Sequence, residues 1–222
     1  MSALSLLKKA ALLLALPAVL VLAWWFATAD STDPYVPPLQ TILETFPETW
    51  NWERVRADVV PSVLRLAVGY LVAVVAGIAV GTAIGSSRTL RNVFEPVLEF
   101  FRAIPPPVLV PILMLFAGIG DTMKVLVIVS GCIWPVLLNT VEGVRAVDDV
   151  HRDTARCYGI TGVARLRHLV LRAASPQIVA GMRQALSLGI ILMVISEMFA
   201  ASQGIGFTIV QFQRGFAVPQ MW

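Results

Sequence analysis

Residues 61–85 read PSVLRLAVGYLVAVVAGIAVGTAIG, a run whose one charged residue is Arg65. A helix needs roughly 20 predominantly apolar residues to cross the hydrocarbon core of a bilayer, and this run is longer than that. Gly69, Ala73, Gly77, Gly81 and Gly85 recur in it every four positions. Residues four apart share one helix face, and small ones there let two helix backbones approach closely inside a membrane. The run predicts a spanning helix with a packing face made of small residues.

Composition extends this reading to the whole chain. Of 222 residues, 57% are hydrophobic and 14% charged, against roughly 25% charged in a soluble domain. So little polar surface could not cover a soluble core, and lipid is the solvent that fits. A net charge of +3 gives no footprint for nucleic acid. Four further stretches approach spanning length, at about residues 10–27, 93–117, 123–141 and 176–200. Glu95, Glu99, Arg102 and Pro105-Pro106-Pro107 interrupt the second of these, and Arg183 and Glu197 the last. The expectation is an all-α integral membrane protein, a bundle of five transmembrane helices forming a single domain over residues 1–222.

The first span has the marks of a secretory leader, with Lys8 and Lys9 ahead of it and Ala27-Thr28-Ala29 behind. Its apolar run of about 18 residues exceeds the roughly 7–15 of a leader's apolar region, so we read a retained membrane helix. Orientation follows from the arginines and lysines of the loops. Lys8 and Lys9, Arg88 and Arg91, and Arg145, Arg152, Arg156, Arg165, Arg167 and Arg172 mark the cytoplasmic side. Residues 28–60, the turn at 118–122 and the C-terminal tail face outward, in a prokaryotic plasma membrane. Pro34, Pro37, Pro38 and Pro47 limit the outer loop to one short helix over residues 39–46. Trp24, Trp25, Trp50 and Trp52 suit the level of the lipid headgroups. Residues 211–222 form no sixth span, so the natural chain continues or this is a partial sequence.

Cys132 and Cys157 stand alone, as do His151 and His168. There is no metal-ligand spacing and no phosphate-binding glycine loop of the GxxxxGK[ST] type. Any ATP and magnesium chemistry would have to reside in another chain.

The inner loop at residues 147–175 is too patterned for a plain connector. Asp148 can cap a helix running from Asp149 to Tyr158. Gly159 then occupies the position where a left-handed residue ends a helix at least cost. Thr161 can cap a second helix, from Gly162 to about Leu171, and Pro176 opens the next span. Two short helices joined at a glycine make a rigid knob. Small residues such as Thr154 and Ala155 would let it seat closely in a socket. The other reading is an amphipathic surface helix whose arginines bind anionic lipid.

Asp153-Thr154-Ala155, three residues, Gly159, nine residues, then Leu169-Val170-Leu171 resembles the EAA loop of permease subunits of binding-protein-dependent ABC importers. The pattern there is EAA-x3-G-x9-I-x-L-P. Asp153, Thr154, Leu169 and Arg172 depart from it while the spacing is intact. Phe101-Arg102-Ala103-Ile104-Pro105-Pro106, Gly118-Ile119-Gly120, Pro135 to Thr140, Gly143 to Asp148, and Ser196-Glu197-Met198 with Gly204 to Phe207 are similar to the nitrate/sulfonate/taurine branch. The likeness covers about residues 35–215. Members of the family usually have a sixth span.

The resemblance implies a permease for a small solute of the sulfonate, nitrate, taurine or vitamin-precursor class. It implies no cofactor in this chain, a second permease copy, two ATPase subunits and an extracytoplasmic binding protein. Residues 148–172 would be the cytoplasmic coupling loop. Asp153, Thr154, Ala155, Gly159, Leu169 and Leu171 would meet the ATPase.

Charges inside the membrane usually face protein or water. Glu99 and Arg102 lie three apart on one face and can pair. Arg183 would bond a neighbouring carbonyl. Glu197 is either a gate or pathway residue, or a cap on the amides of the 201–206 turn. The prolines break span three, which is tolerated where protein or a cavity surrounds it. Arg102, Pro105, Pro106, Glu197 and Met198 are therefore path or gate candidates. Two other functions remain: an ATP-independent carrier or channel using Glu197 and Glu99, and a scaffold whose basic loop binds lipid or a partner.

Overall fold

The computed structural model describes residues 3–199 and 201–222, with side chains from Leu14 onward. The described residues are helical and contain no strand. In chain order the helices are α1 Ala3–Thr28, α2 Leu39–Thr49, α3 Val60–Ser86, α4 Arg88–Arg102 and α5 Leu109–Ala117. They continue as α6 Asp121–Arg145, α7 Asp149–Cys157, α8 Leu171–Phe199, α9 Ile205–Arg214 and α10 Val218–Met221.

Three helical stretches are long and apolar enough to cross a membrane: Trp52–Ser86, Asp121–Arg145 and Gly162–Phe199. Arg88–Arg102 and Pro106–Ala117 are long and apolar enough only when taken together, and they meet at a bend of 73°. This is the interrupted span expected at residues 93–117. Three consecutive prolines lack three amide donors, which a straight helix cannot absorb. Pro105 is extended and Pro106–Val108 forms one 3-10 turn. α1 is a single helix of 26 residues through Pro17. Leu14, Leu16, Val19, Leu20, Leu22 and Phe26 are all exposed on it, as suits a helix surrounded by lipid. The fifth expected span closes at position 200, which lies outside the described residues.

By contacts the chain divides into Met1–Arg56 with Thr208–Trp222, and Ala57–Phe207. In the first unit α2 packs on α1 and α10, burying Leu39, Ile42 and Val218. Thr28 Oγ1 donates to Trp24 O at 2.8 Å and accepts from Leu39 N at 3.4 Å. Trp24 meets Trp222 edge to face at 5.8 Å. α2 extends beyond the expected residue 46 to Thr49, taking Pro47 inside.

In the second unit α3, α6 and α8 pack on one another around Ala73, Val127, Ile128, Cys132, Ala185 and Leu192. The small-residue face predicted for α3 is the seam with α6. A Cβ on Gly69 would lie 2.8 Å from Ile128 Cγ2, and one on Gly77 2.9 Å from Val136 Cβ. At Gly81 it would lie 2.7 Å from Leu137 O, and at Gly85 2.8 Å from Val144 Cβ. No side chain larger than hydrogen fits there without a shift. Tyr70 donates to Met182 O at 3.1 Å and Cys132 to Ala185 O at 3.2 Å, tying α3 and α6 to α8. α5 packs along α6, and Val110 is fully buried there.

Candidate functional site

Two constellations occupy opposite ends of the second unit. The first is the turn between α6 and α8. Asp148 Oδ1 accepts from Val150 N at 2.9 Å, which satisfies one free amide of α7. Gly159 has φ +67°, a conformation that costs other residues roughly 1–2 kcal/mol. Ile160 N donates to Ala155 O at 2.8 Å and Gly159 N to Arg156 O at 3.0 Å. This pair of bonds ends a helix through a left-handed residue and uses carbonyls that the helix leaves free.

A third tie fixes the elbow to the bundle. Arg152 Nε donates to Val147 O at 3.1 Å, and its Nη2 donates to Val144 O at 3.1 Å and Arg145 O at 3.4 Å. The guanidinium thereby collects the last carbonyls of α6.

The second half of the loop differs from expectation. Thr161 sits at the capping position with extended backbone, but its side chain makes no capping bond. The helix opened at Gly162 does not stop near Leu171. It passes through a π-helical turn, Leu166–Val170, and runs on to Phe199. Pro176 lies inside α8 instead of opening it. Its missing amide would have served Arg172 O, and Ser175 Oγ donates to that carbonyl instead at 2.9 Å.

Asp153, Thr154 and Gly159 are exposed, and Asp153 pairs with Arg156 at 3.0 Å. Ala155 is buried within the chain, so its small side chain serves a contact of the fold itself. Leu169 and Leu171 are partly buried, and Leu171 packs against Val144, Ala174 and Ile178. Sequence reasoning missed Val150, Tyr158 and Val163. They stand 68%, 80% and 78% exposed around the elbow. The signal available was three large apolar residues in a segment otherwise rich in arginine. Beside the elbow lies an open recess of about 660 Å³ lined by Arg88, Arg91, Arg145 and Arg152.

The opposite end carries a buried ion network. Arg65 is 4% exposed and Glu197 1%, and their Nη1 and Oε1 atoms meet at 2.7 Å. Ser62 Oγ donates to Glu197, 2.7 Å from Oε1 and 2.9 Å from Oε2, and Gly206 N donates to Oε2 at 3.1 Å. Ile205 N donates to Ser62 Oγ at 3.0 Å, and Gly204 N to Asp58 Oδ1 at 2.9 Å. Arg65 Nε also donates to Asp121 Oδ1 at 2.8 Å. One network thus joins the starts of α3 and α6 to the end of α8 and the turn that follows it. Gly204 has φ +126°, and a Cβ there would fall 2.6 Å from Glu197 Oε2.

The five path candidates do not converge. Arg102 Nη2 pairs with Glu99 Oε2 at 2.6 Å, both about half exposed, on the α4 side of the break. Pro105 carries the bend and Pro106 packs near Gly131 of α6. Met198 is partly exposed next to the buried Glu197. Arg183 makes no side-chain hydrogen bond among the described residues and is exposed, opposite the face of α8 that buries Gly181, Ala185 and Gly189.

Sequence reasoning picked out Glu197 and the glycines after it but not Ser62, Asp121 or Lys124. The signal lay in topology. Alternating spans bring residues 58–65, 121–124 and 197 to one membrane face.

Residues 69–222 match the family of binding-protein-dependent transport system inner membrane components. The chain is 32% identical to the taurine transport system permease protein TauC of Escherichia coli, over 86% of this chain and 72% of that protein. It is 29% identical to the nitrate import permease protein NrtB of Synechocystis, over 86% of this chain and 73% of that protein. It is 33% identical to the bicarbonate transport system permease protein CmpB of Synechococcus elongatus, over 68% of this chain and 54% of that protein.

Proposed function

The chain belongs to the family of binding-protein-dependent transport system inner membrane components, and from that premise we propose that it is the permease subunit of an ATP-driven importer. The family consists of membrane permease subunits, not enzymes. In this proposal two permease copies enclose the path, each receives an ATPase subunit at its elbow, and a separate binding protein delivers solute to the opposite face. ATP and magnesium act in the partner ATPase. The relatives' named solutes are taurine, nitrate and bicarbonate. Each is small and carries an oxyanion group, and that is the solute class proposed.

The observation that carries this reading is the elbow. Asp148, Gly159 and Arg152 fix α7 to the end of α6 by capping and carbonyl bonds, while Val150, Tyr158 and Val163 remain exposed beside it. A rigid projection with an uncovered apolar surface is what a motor subunit can grip. The arginines of residues 145–172 support a cytoplasmic position for this end, and in this proposal the Arg65–Glu197 network then lies at the outer face.

A proton-coupled carrier is the weaker reading. Glu197 is engaged by Arg65, Ser62 and the Gly206 amide, and Glu99 is engaged by Arg102. Neither is an open proton relay.

The test is Gly159→Leu in the assembled transporter. The permease is expected to insert and bind its ATPase, while ATP-driven uptake falls at least tenfold because the elbow bends wrongly, by about 1–2 kcal/mol of backbone strain. Uptake in the wild type is expected to survive a protonophore and stop on ATP depletion. Normal ATP-driven uptake by the variant overturns the docking role.

A further inference from the structure

Beside the Arg65–Glu197 pair is an open pocket of about 210 Å³, lined by Arg65, Gly120, Asp121, Lys124, Ser202 and Gln203. Two of its cations are almost fully buried, Arg65 and Lys124 at 4% exposure each. Glu197 pairs with Arg65, and no hydrogen bond joins it to Lys124 among the described residues. Its carboxylate already accepts from Arg65 Nη1, Ser62 Oγ and Gly206 N. Arg65 Nε is taken by Asp121. Arg65 Nη2 is buried and has no hydrogen-bond partner among the described residues. Lys124 Nζ stands 3.6 Å from Asp121 Oδ1, beyond hydrogen-bond distance.

A buried guanidinium nitrogen without an acceptor is costly, since it has lost water and gained nothing in return. Proteins keep such groups where something else supplies the acceptor. Asp121 differs from the two cations in being 68% exposed at its side chain. Its own oxygens already meet water, so the cost of its leaving falls on the buried Arg65 Nε that it serves, a donor that an incoming anion would satisfy in its place.

We propose that this pocket is a receiving site for a small oxyanion, of the nitrate, bicarbonate or sulfonate type. Arg65 Nη2 and Lys124 Nζ donate to it, and Asp121 is the internal carboxylate that holds the cations until it arrives. The oxyanion's flat or pyramidal oxygens suit a guanidinium edge with an ammonium beside it. Ser202 and Gln203 at the rim offer further polar groups. Glu197 and Ser62 act as positioning residues that hold Arg65. The role given to the ligand, a solute being handed to the permease, rests on the importer reading. The binding itself does not.

The test uses the complete transporter in lipid nanodiscs without ATP, titrated with sodium nitrate and sodium methanesulfonate against sodium chloride and neutral glycerol. Calorimetry reads affinity, and size-exclusion chromatography checks assembly. Nitrate and methanesulfonate are expected to bind, and Lys124→Gln to weaken them about tenfold by removing one charged donor. Asp121→Asn is expected to tighten them severalfold by removing the competitor, an effect that a merely structural Asp121 would not produce. Should Lys124→Gln fail to assemble, Asp121→Asn decides alone.

The proposal is overturned if Asp121→Asn leaves affinity unchanged or lowers it. It is also overturned if no oxyanion binds while Lys124→Gln abolishes docking of the binding protein, since the pocket would then receive a protein carboxylate. A wild type that couples uptake to ATP but binds no oxyanion here sinks the pocket and leaves the permease reading intact. The converse result separates the two the other way.

Discussion

Two glutamate–arginine pairs of almost equal length, Glu197–Arg65 at 2.7 Å and Glu99–Arg102 at 2.6 Å, sit in opposite surroundings. The first is sealed between three helices. Removing its carboxylate charge leaves the buried guanidinium only the exposed Asp121 as counter-charge, a loss approaching the roughly 3–5 kcal/mol of a buried charge left without its partner. The second is half in contact with its surroundings, where such pairs are worth up to about 1 kcal/mol. Glu197→Gln is therefore expected to lower the unfolding temperature of the purified protein strongly, and Glu99→Gln to leave it nearly unchanged. Equal shifts for both would contradict the burial argument. Much of this was legible in the sequence. The three-residue spacing of Glu99 and Arg102 announces their pairing, and Glu197 ahead of Gly204 and Gly206 announces an amide cap. The partner Arg65 was not legible, because it lies 132 positions away and only the packing of α3 on α8 brings it to Glu197. Sequence shows that both charges need a partner, but spacing cannot say which.

Among the helices, the seam between α3 and α6 and the break in span three were both readable. A small residue every fourth position marks a close contact without any knowledge of the partner. Gly81→Val is expected to lose about 1–3 kcal/mol by overpacking against Leu137 O and Thr140. Ala83→Leu, on the exposed side of the same helix, is expected to stay within about 0.5 kcal/mol. Thermal unfolding in one detergent checks both, and similar losses would show that the contact is not specific. In span three the count of apolar residues had to be read together with the amide donors that the prolines lack. Residues 93–117 are apolar enough to pass as one crossing, yet the prolines withdraw their donors together and the chain turns by 73°. Pro176 misleads in the other direction. It looks like the start of a helix, but Ser175 serves the carbonyl it strands, and the helix continues.

For the whole molecule the open question is sidedness, and the two cysteines answer it. Cys157 at the end of α7 is exposed and Cys132 is buried. A membrane-impermeant maleimide is expected to leave intact spheroplasts unlabelled and to label Cys157 once the membrane is opened. Labelling of intact cells would put the elbow outside and defeat the importer assignment. The charge bias of the loops is the argument in the sequence for this side. The division of the chain into two units was not, since no composition shift marks residue 56 or 208. The glycine seam carries one more consequence. With Ile128, Val136 and Val144 of α6 seated against the bare glycines of α3, the two helices resist sliding and tilt as one strut. The 25 residues of α6 make that strut about 37 Å long. A swing of about 5° at the motor end then carries the solute end by about 3 Å, so leverage through a stiff beam can work the outer mouth without any relay of side chains.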